Sequence, residues 1–136
     1  MIHLDTNAAI ALLNGRPPAL RQRLDAALAA ATPVAVSIIV YHELMYGAAA
    51  SARREANEDK IAALIASARL SVLPFEPADA DHAADIRAHL RRRGLQIGAY
   101  DVLIAGQARR AGATLVTANT GEFDRVPGLT TADWSR

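Results

Sequence analysis

Short apolar runs alternate along this chain with longer stretches in which apolar residues recur every three or four positions. Met1-Ile2-His3-Leu4 reads as a short strand, and Asn7 to Leu13 as a short helix stopped at Asn14-Gly15. Pro17-Pro18 then punctuates. From Ala19 onward, Leu20, Leu24, Ala27, Leu28 and Ala31 keep helical spacing opposite Arg21, Gln22, Arg23 and Asp25. Val34-Ala35-Val36 predicts a second strand, and Ser37 an N-cap for an apolar helix running through Leu44. Glu55 to Arg69 predicts a further amphipathic helix with Ile61, Leu64, Ile65 and Ala68 on one face. Val72 to Phe75 reads as a third strand, Asp79 to Arg93 as a helix closed by Gly94 in a left-handed C-cap. A helix opening at Asp101 and ending near Gly112 precedes a strand over Ala113 to Thr117. The residues after it form a loop rich in oxygen side chains, pinned by Phe123, Val126, Leu129 and Trp134.

Strands separated by helices of about ten or more residues predict an α/β fold, with a central, mostly parallel sheet of four to five short strands flanked by helices. The whole chain, 1–136, reads as one domain, without an internal repeat, low-complexity tract or linker. In such sheets ligands gather beyond the carboxyl ends of the strands, near the point where the strand order reverses. Asp5 follows the first strand and Asn119 the last long one, so position alone marks both.

Composition narrows the chemistry. Half of the residues are hydrophobic but only 4% are aromatic, so the core is built from Ala and branched aliphatics. Cysteine is absent, which removes disulfides, thiolate metal sites and cysteine nucleophiles. No apolar run approaches the roughly 18 residues of a membrane span, and Met1 to Asp5 lacks the basic start of a signal peptide. The expected location is the cytoplasm, with no membrane partner. The net charge of +1 does not announce nucleic acid. Every basic residue except Lys60 is arginine, which coding bias explains, although the guanidinium fork also suits phosphate.

Three carboxylates then stand out. Asp5 and Asp101 could each cap the helix that follows them, and Glu43 lies inside an apolar helix on a face shared with Ile39, Tyr46 and Gly47. No Lys or Arg lies within four positions of Glu43, so its partner must come from elsewhere in the fold. Gly47, one turn later, leaves room beside it. Two carboxylates ~4 Å apart repel by about 4 kcal/mol at an effective dielectric near 20. Three together approach the ~5–15 kcal/mol stability of a whole domain. A gathered cluster must therefore bind a cation or hold a proton. All-oxygen donors suit Mg²⁺, with Mn²⁺ as a substitute, and the chemistry that follows is metal-dependent phosphodiester hydrolysis.

Rival motifs fail. His42-Glu43-Leu44-Met45-Tyr46 begins like a zinc-protease motif but has Tyr where the second His belongs. No dinucleotide-binding glycine motif or P-loop is present. A phospho-accepting receiver would want a Lys after a late strand, and the single Lys60 lies in a helix. His82, Asp85 and His89 line one helical face that Arg87 and Arg91-Arg92-Arg93 mark as solvated. Both that arginine run and Arg109-Arg110 read as charged helix ends or as contacts for RNA phosphate.

Leu4-Asp5-Thr6-Asn7, Ser37 with Glu43-Leu44 and Gly47, Ile97 to Ala105 around Asp101, Leu115 to Asn119, and Glu122 to Leu129 occur here in order. In this the chain resembles the PIN-domain ribonucleases, and among them the VapC toxins of bacterial type II toxin–antitoxin systems. The resemblance implies a PIN-like fold, Asp5, Glu43 and Asp101 as the catalytic and metal-binding acids, and Mg²⁺-dependent endonucleolytic cleavage of structured RNA such as tRNA. It also implies a homodimer and a cognate antitoxin that blocks the pocket. The amphipathic helices from Ala19 and Glu55 are candidate antitoxin grooves, and equally core faces. Relatives often carry a fourth acid near position 119; here Asn119 stands there, with Glu122 as its substitute. Thr6 and Thr117 are expected to support the acids through hydrogen bonds. A reading from another class is a regulatory module acting on promoter DNA with its antitoxin, with little nuclease activity.

Overall fold

The computed structural model describes all residues, 1–136. Five strands, β1 (Ile2–Leu4), β2 (Val34–Ser37), β3 (Ser71–Leu73), β4 (Thr114–Val116) and β5 (Thr130–Ala132), form one sheet in the order β3-β2-β1-β4-β5. Every pairing is parallel, with Leu4 opposite Val36 on one side and Val116 on the other. All four residues of β2 are buried, as expected of a strand covered on both faces. The chain steps outward from β1 to β3, then returns to add β4 and β5 beyond β1. The strand order therefore reverses between β1 and β4.

Seven helices connect the strands: α1 (Thr6–Asn14), α2 (Pro18–Ala29), α3 (Ile38–Ala49), α4 (Arg54–Ser67), α5 (Pro77–Arg92), α6 (Ala99–Arg110) and the single turn α7 (Thr120–Phe123). Their limits have local causes. The Ser37 side chain accepts the Ile39 amide and starts α3. Pro18 occupies the first position of α2, where its missing N–H costs nothing. Gly94, with φ of 65°, carries the left-handed turn after α5. Leu20 and Leu24 of α2 and Ile61 and Leu64 of α4 are buried in the main core with Leu4, Val36, Ile104 and Leu115.

Three expectations shift. α6 begins two residues before Asp101, with Gly98 at its N-cap, so Asp101 lies within the first turn and caps nothing. The segment after β4 is not simply a loop: it contains α7 and then β5, which pairs with β4. β3 ends at Leu73, and the Pro74 carbonyl turns to accept a hydrogen bond from Gln107 of α6.

Candidate active site

Asp5 leaves the carboxyl end of β1 and caps α1, accepting the Ala8 amide at 2.7 Å. It is only 3% exposed. Burial raises its pKa; the Thr117 hydroxyl and the Ala8 amide pull it back, and the charge of Glu43 raises it further. The helix-capping role is real, and it coexists with electrostatic repulsion from Glu43.

Asp101, in the first turn of α6, has its pKa raised to about 6, first by burial and then by the charges of Glu43, Asp5 and Glu122. Four acids drawn from α1's cap, α3, α6 and α7 thus act on one another. Glu43 lies on α3 with Oε1 buried and without a hydrogen-bond partner. No arginine or lysine pairs with Asp5, Glu43 or Asp101. Beyond Glu43, a Cβ added at Gly47 would meet nothing within 4 Å, and both residues border a cavity of about 230 Å³ between α1, α3 and α4.

The supporting residues divide by position. Thr117, fully buried at the end of β4, accepts the Asn119 amide at 2.9 Å while facing Asp5. Asn119 donates through Nδ2 to Glu122 Oε2 at 2.8 Å, a bond that ties together the two residues expected to share the fourth position. Thr6 is buried with its hydroxyl unpaired. Other sequence candidates serve structure. His82 Nδ1 accepts from Arg109 Nε at 3.1 Å, and Arg109 also reaches the carbonyls of His82 and Pro127. Arg110 pairs with Glu76 and Asp79. Neither arginine is free for phosphate.

Sequence reading did not single out Gly98. A Cβ there would stand 3.2 Å from Asp101 Oδ2, so glycine gives the carboxylate its space. The edge-to-face contact of His42 with Tyr100, beside Glu43 and Asp101, was also illegible, because it joins α3 to α6.

As the side chains stand, no group of three or more His, Cys, Asp or Glu residues closes into a metal cage. The donor chemistry nonetheless fits a hydrated cation. The donors are all oxygen, one buried carboxylate oxygen lacks a partner, and the acids repel one another with no ion pair to offset it, although Lys60 borders the same cavity as Glu43. Mg²⁺ keeps several of its waters and needs only one or two carboxylates from a protein.

The PIN domain family model matches residues 2–129. The chain belongs to the PIN-domain family. A tRNA(fMet)-specific endonuclease VapC from Shigella flexneri is 39% identical over 132 residues, 97% of this chain and 96% of that one. A solved structure of VapBC2 from Rickettsia felis, bound to a DNA fragment from their promoter, superposes with a TM-score of 0.91 at 35% identity, covering 98% of this chain and 99% of that one. DNA-bound VapBC from Salmonella typhimurium gives 0.89 at 37% identity, over 98% and 97% of the two chains. The PIN-like α/β architecture expected from the sequence is thereby established, and with it membership of the VapC ribonuclease group. No helix is long and apolar enough to cross a membrane.

Proposed function

We propose that this PIN-domain chain is the toxin of a type II toxin–antitoxin pair and cuts RNA phosphodiester bonds as a Mg²⁺-dependent endoribonuclease. The observation that carries the reading is the mutual electrostatic influence of Asp5, Glu43 and Asp101 at the β1/β4 reversal, with a buried Glu43 oxygen left unpaired.

Asp5 and Asp101 would hold the cation, and Glu43 completes the set; Mn²⁺ suits the same oxygens. When bound, Mg²⁺ supplies positive charge for the phosphate and makes an attacking water easier to deprotonate. The chain's own contribution is positioning. The Ala8 amide and Thr117 fix the Asp5 carboxylate, and Gly98 leaves Asp101 room to turn. Glu43, half-buried on α3, would orient what lies between the acids for in-line attack. Asn119 holds Glu122 at the rim, where its charge reaches Asp101.

The substrate class is structured RNA such as tRNA, in keeping with the tRNA(fMet)-specific endonuclease of Shigella flexneri. A cognate antitoxin would occupy the pocket, a homodimer is the expected assembly, and the cytoplasm is where both RNA and antitoxin would be met. The DNA-bound neighbours, one of them on a promoter fragment, favour a second activity, repression in complex with the antitoxin. One experiment separates the two. Protein freed of antitoxin should degrade RNA with Mg²⁺ and stop with EDTA, while Asp101→Asn stays inactive under both conditions. RNA left intact by the Mg²⁺-loaded wild type would leave only the regulatory reading.

A further inference from the structure

The carboxylates leave two neighbouring rings unused. His42 precedes Glu43 on α3 and Tyr100 precedes Asp101 on α6. The rings meet edge to face, with centroids 5.9 Å apart and planes at 86°. Tyr100 is 49% exposed and His42 is exposed as well, so the contact is not core packing. What it does is restrain an aromatic face that solvent can reach, one residue from a proposed catalytic acid.

The same tyrosine borders a groove of about 630 Å³ between α5 and α6. Its floor is apolar, built from alanines of α5 with Val102 and Leu103 of α6, and Arg87, Arg91 and Arg92 line it. No carboxylate lines this groove. Unlike Arg109 and Arg110, these three arginines make no ion pair and no side-chain hydrogen bond. The negative end of the α5 dipole accounts for Arg91 and Arg92 near the last turn. It does not account for Arg87, further back in the helix.

We infer that Tyr100 is a stacking platform for an unpaired nucleobase of the RNA strand being cut, with Arg87, Arg91 and Arg92 holding the phosphates of adjoining nucleotides. The inference rests on the nuclease reading above and adds to it a preference for loops over duplex. Every base presents a π face, so an open aromatic ring binds without reading sequence. In a duplex those faces are already stacked, and only loops, bulges and ends can offer one. Guanidinium forks bind phosphate in pairs of parallel hydrogen bonds, which suits a strand that leaves the platform along α5. Charge favours this occupant: a run of free arginines facing no acid is complementary to a polyanion.

The test separates binding from cutting. An RNA hairpin with an unpaired loop and a blunt duplex of the same length are titrated with full-length protein in EDTA, following fluorescence anisotropy. Hairpin cleavage is then followed with Mg²⁺. Tyr100→Ala should weaken hairpin binding by roughly ten- to a hundredfold, leave duplex binding unchanged, and raise KM more than it lowers kcat. Tyr100→Phe should restore binding, since the ring and not the hydroxyl does the stacking. The triple variant Arg87→Ala, Arg91→Ala, Arg92→Ala should weaken both RNAs alike and flatten the salt dependence. Wild-type hairpin affinity in Tyr100→Ala overturns the platform. So does a change in sedimentation from dimer to monomer in that variant, which would show the ring covered by a second copy. Failure of wild-type cleavage with Mg²⁺, alongside Tyr100-dependent hairpin binding, would instead sink the nuclease reading and leave the platform standing.

Discussion

Asp101, a metal ligand in the proposed nuclease, would serve function at the expense of stability. Its pKa is raised to about 6, against 3.8 ordinarily, so folding favours the protonated acid. Stability from that proton is fully present below about pH 4 and is lost as pH rises through 6. Asp5, raised by burial, acts in the same direction. His3 acts in the opposite one: burial lowers its pKa, so its contribution is lost as pH falls below 6.5. Comparing wild type with Asp101→Asn cancels the histidine. In EDTA above pH 6, Asp101→Asn should be more stable by about 1–2 kcal/mol, a figure already discounted for partial exposure. The gain should vanish by pH 4. Urea midpoints across that range measure it, and a variant less stable at pH 7 contradicts the repulsion described here. Asp5 carries a second duty, so its substitutions should part company. Asp5→Asn keeps an N-cap and loses charge, whereas Asp5→Ala forfeits the bond to the Ala8 amide and should cost about 1 kcal/mol more. Both should abolish cleavage.

At the scale of elements, α5 and α6 form the most extensive helix pair in the molecule, and one glycine permits it. A Cβ at Gly106 would stand 2.7 Å from the Ala83 amide nitrogen and 2.8 Å from its Cα, and backbone cannot step aside cheaply. Gly106→Ala should destabilise the fold by about 1–3 kcal/mol, read as a lowered urea midpoint. Gly98→Ala makes a different prediction. Its new methyl presses on a side chain, which can rotate, so the fold should survive while cleavage falls as Asp101 is displaced. The elements themselves were partly legible. Ser37 before an apolar run, and glycine after α5, announced real boundaries, because capping is local chemistry. β5 was not legible: Thr130, Thr131 and Ala132 carry no hydrophobic alternation, and they are a strand only because β4 offers an unpaired edge. Nor could sequence show that α6 starts at Ala99, since Asp101 fits a cap as well as a first turn.

For the whole molecule, the position of the candidate site was readable from the alternation of strands and helices, since a parallel sheet puts Asp5 and Thr117 at neighbouring carboxyl ends. That Glu43 acts electrostatically on Asp5 and Asp101 was suggested only by its lack of a local partner and by the family resemblance. The arginines were readable in kind but not in role: similar runs could pair with acids or face solvent, and only tertiary packing separates Arg109 and Arg110 from Arg91 and Arg92. Cation binding should act on the entire fold. Because a ligand that binds only the native state stabilises it by mass action, Mg²⁺ at a hundred times its Kd should add about 2.7 kcal/mol. A thermal melt of wild type should rise with added Mg²⁺, and Asp101→Asn should respond far less. Equal shifts in both proteins would place the cation elsewhere.

The central position of β1 also sets a timetable. Ile2, His3 and Leu4 lie against Val34, Ala35 and Val36 on one flank, but the other flank stays bare until Thr114, Leu115 and Val116 have been synthesised. A chain growing from its amino end therefore carries Asp5 and Glu43 long before Asp101 and Thr117 exist to face them. A hazardous hydrolase with this strand order stays harmless on the ribosome for most of its translation, and truncated products released early would be inert.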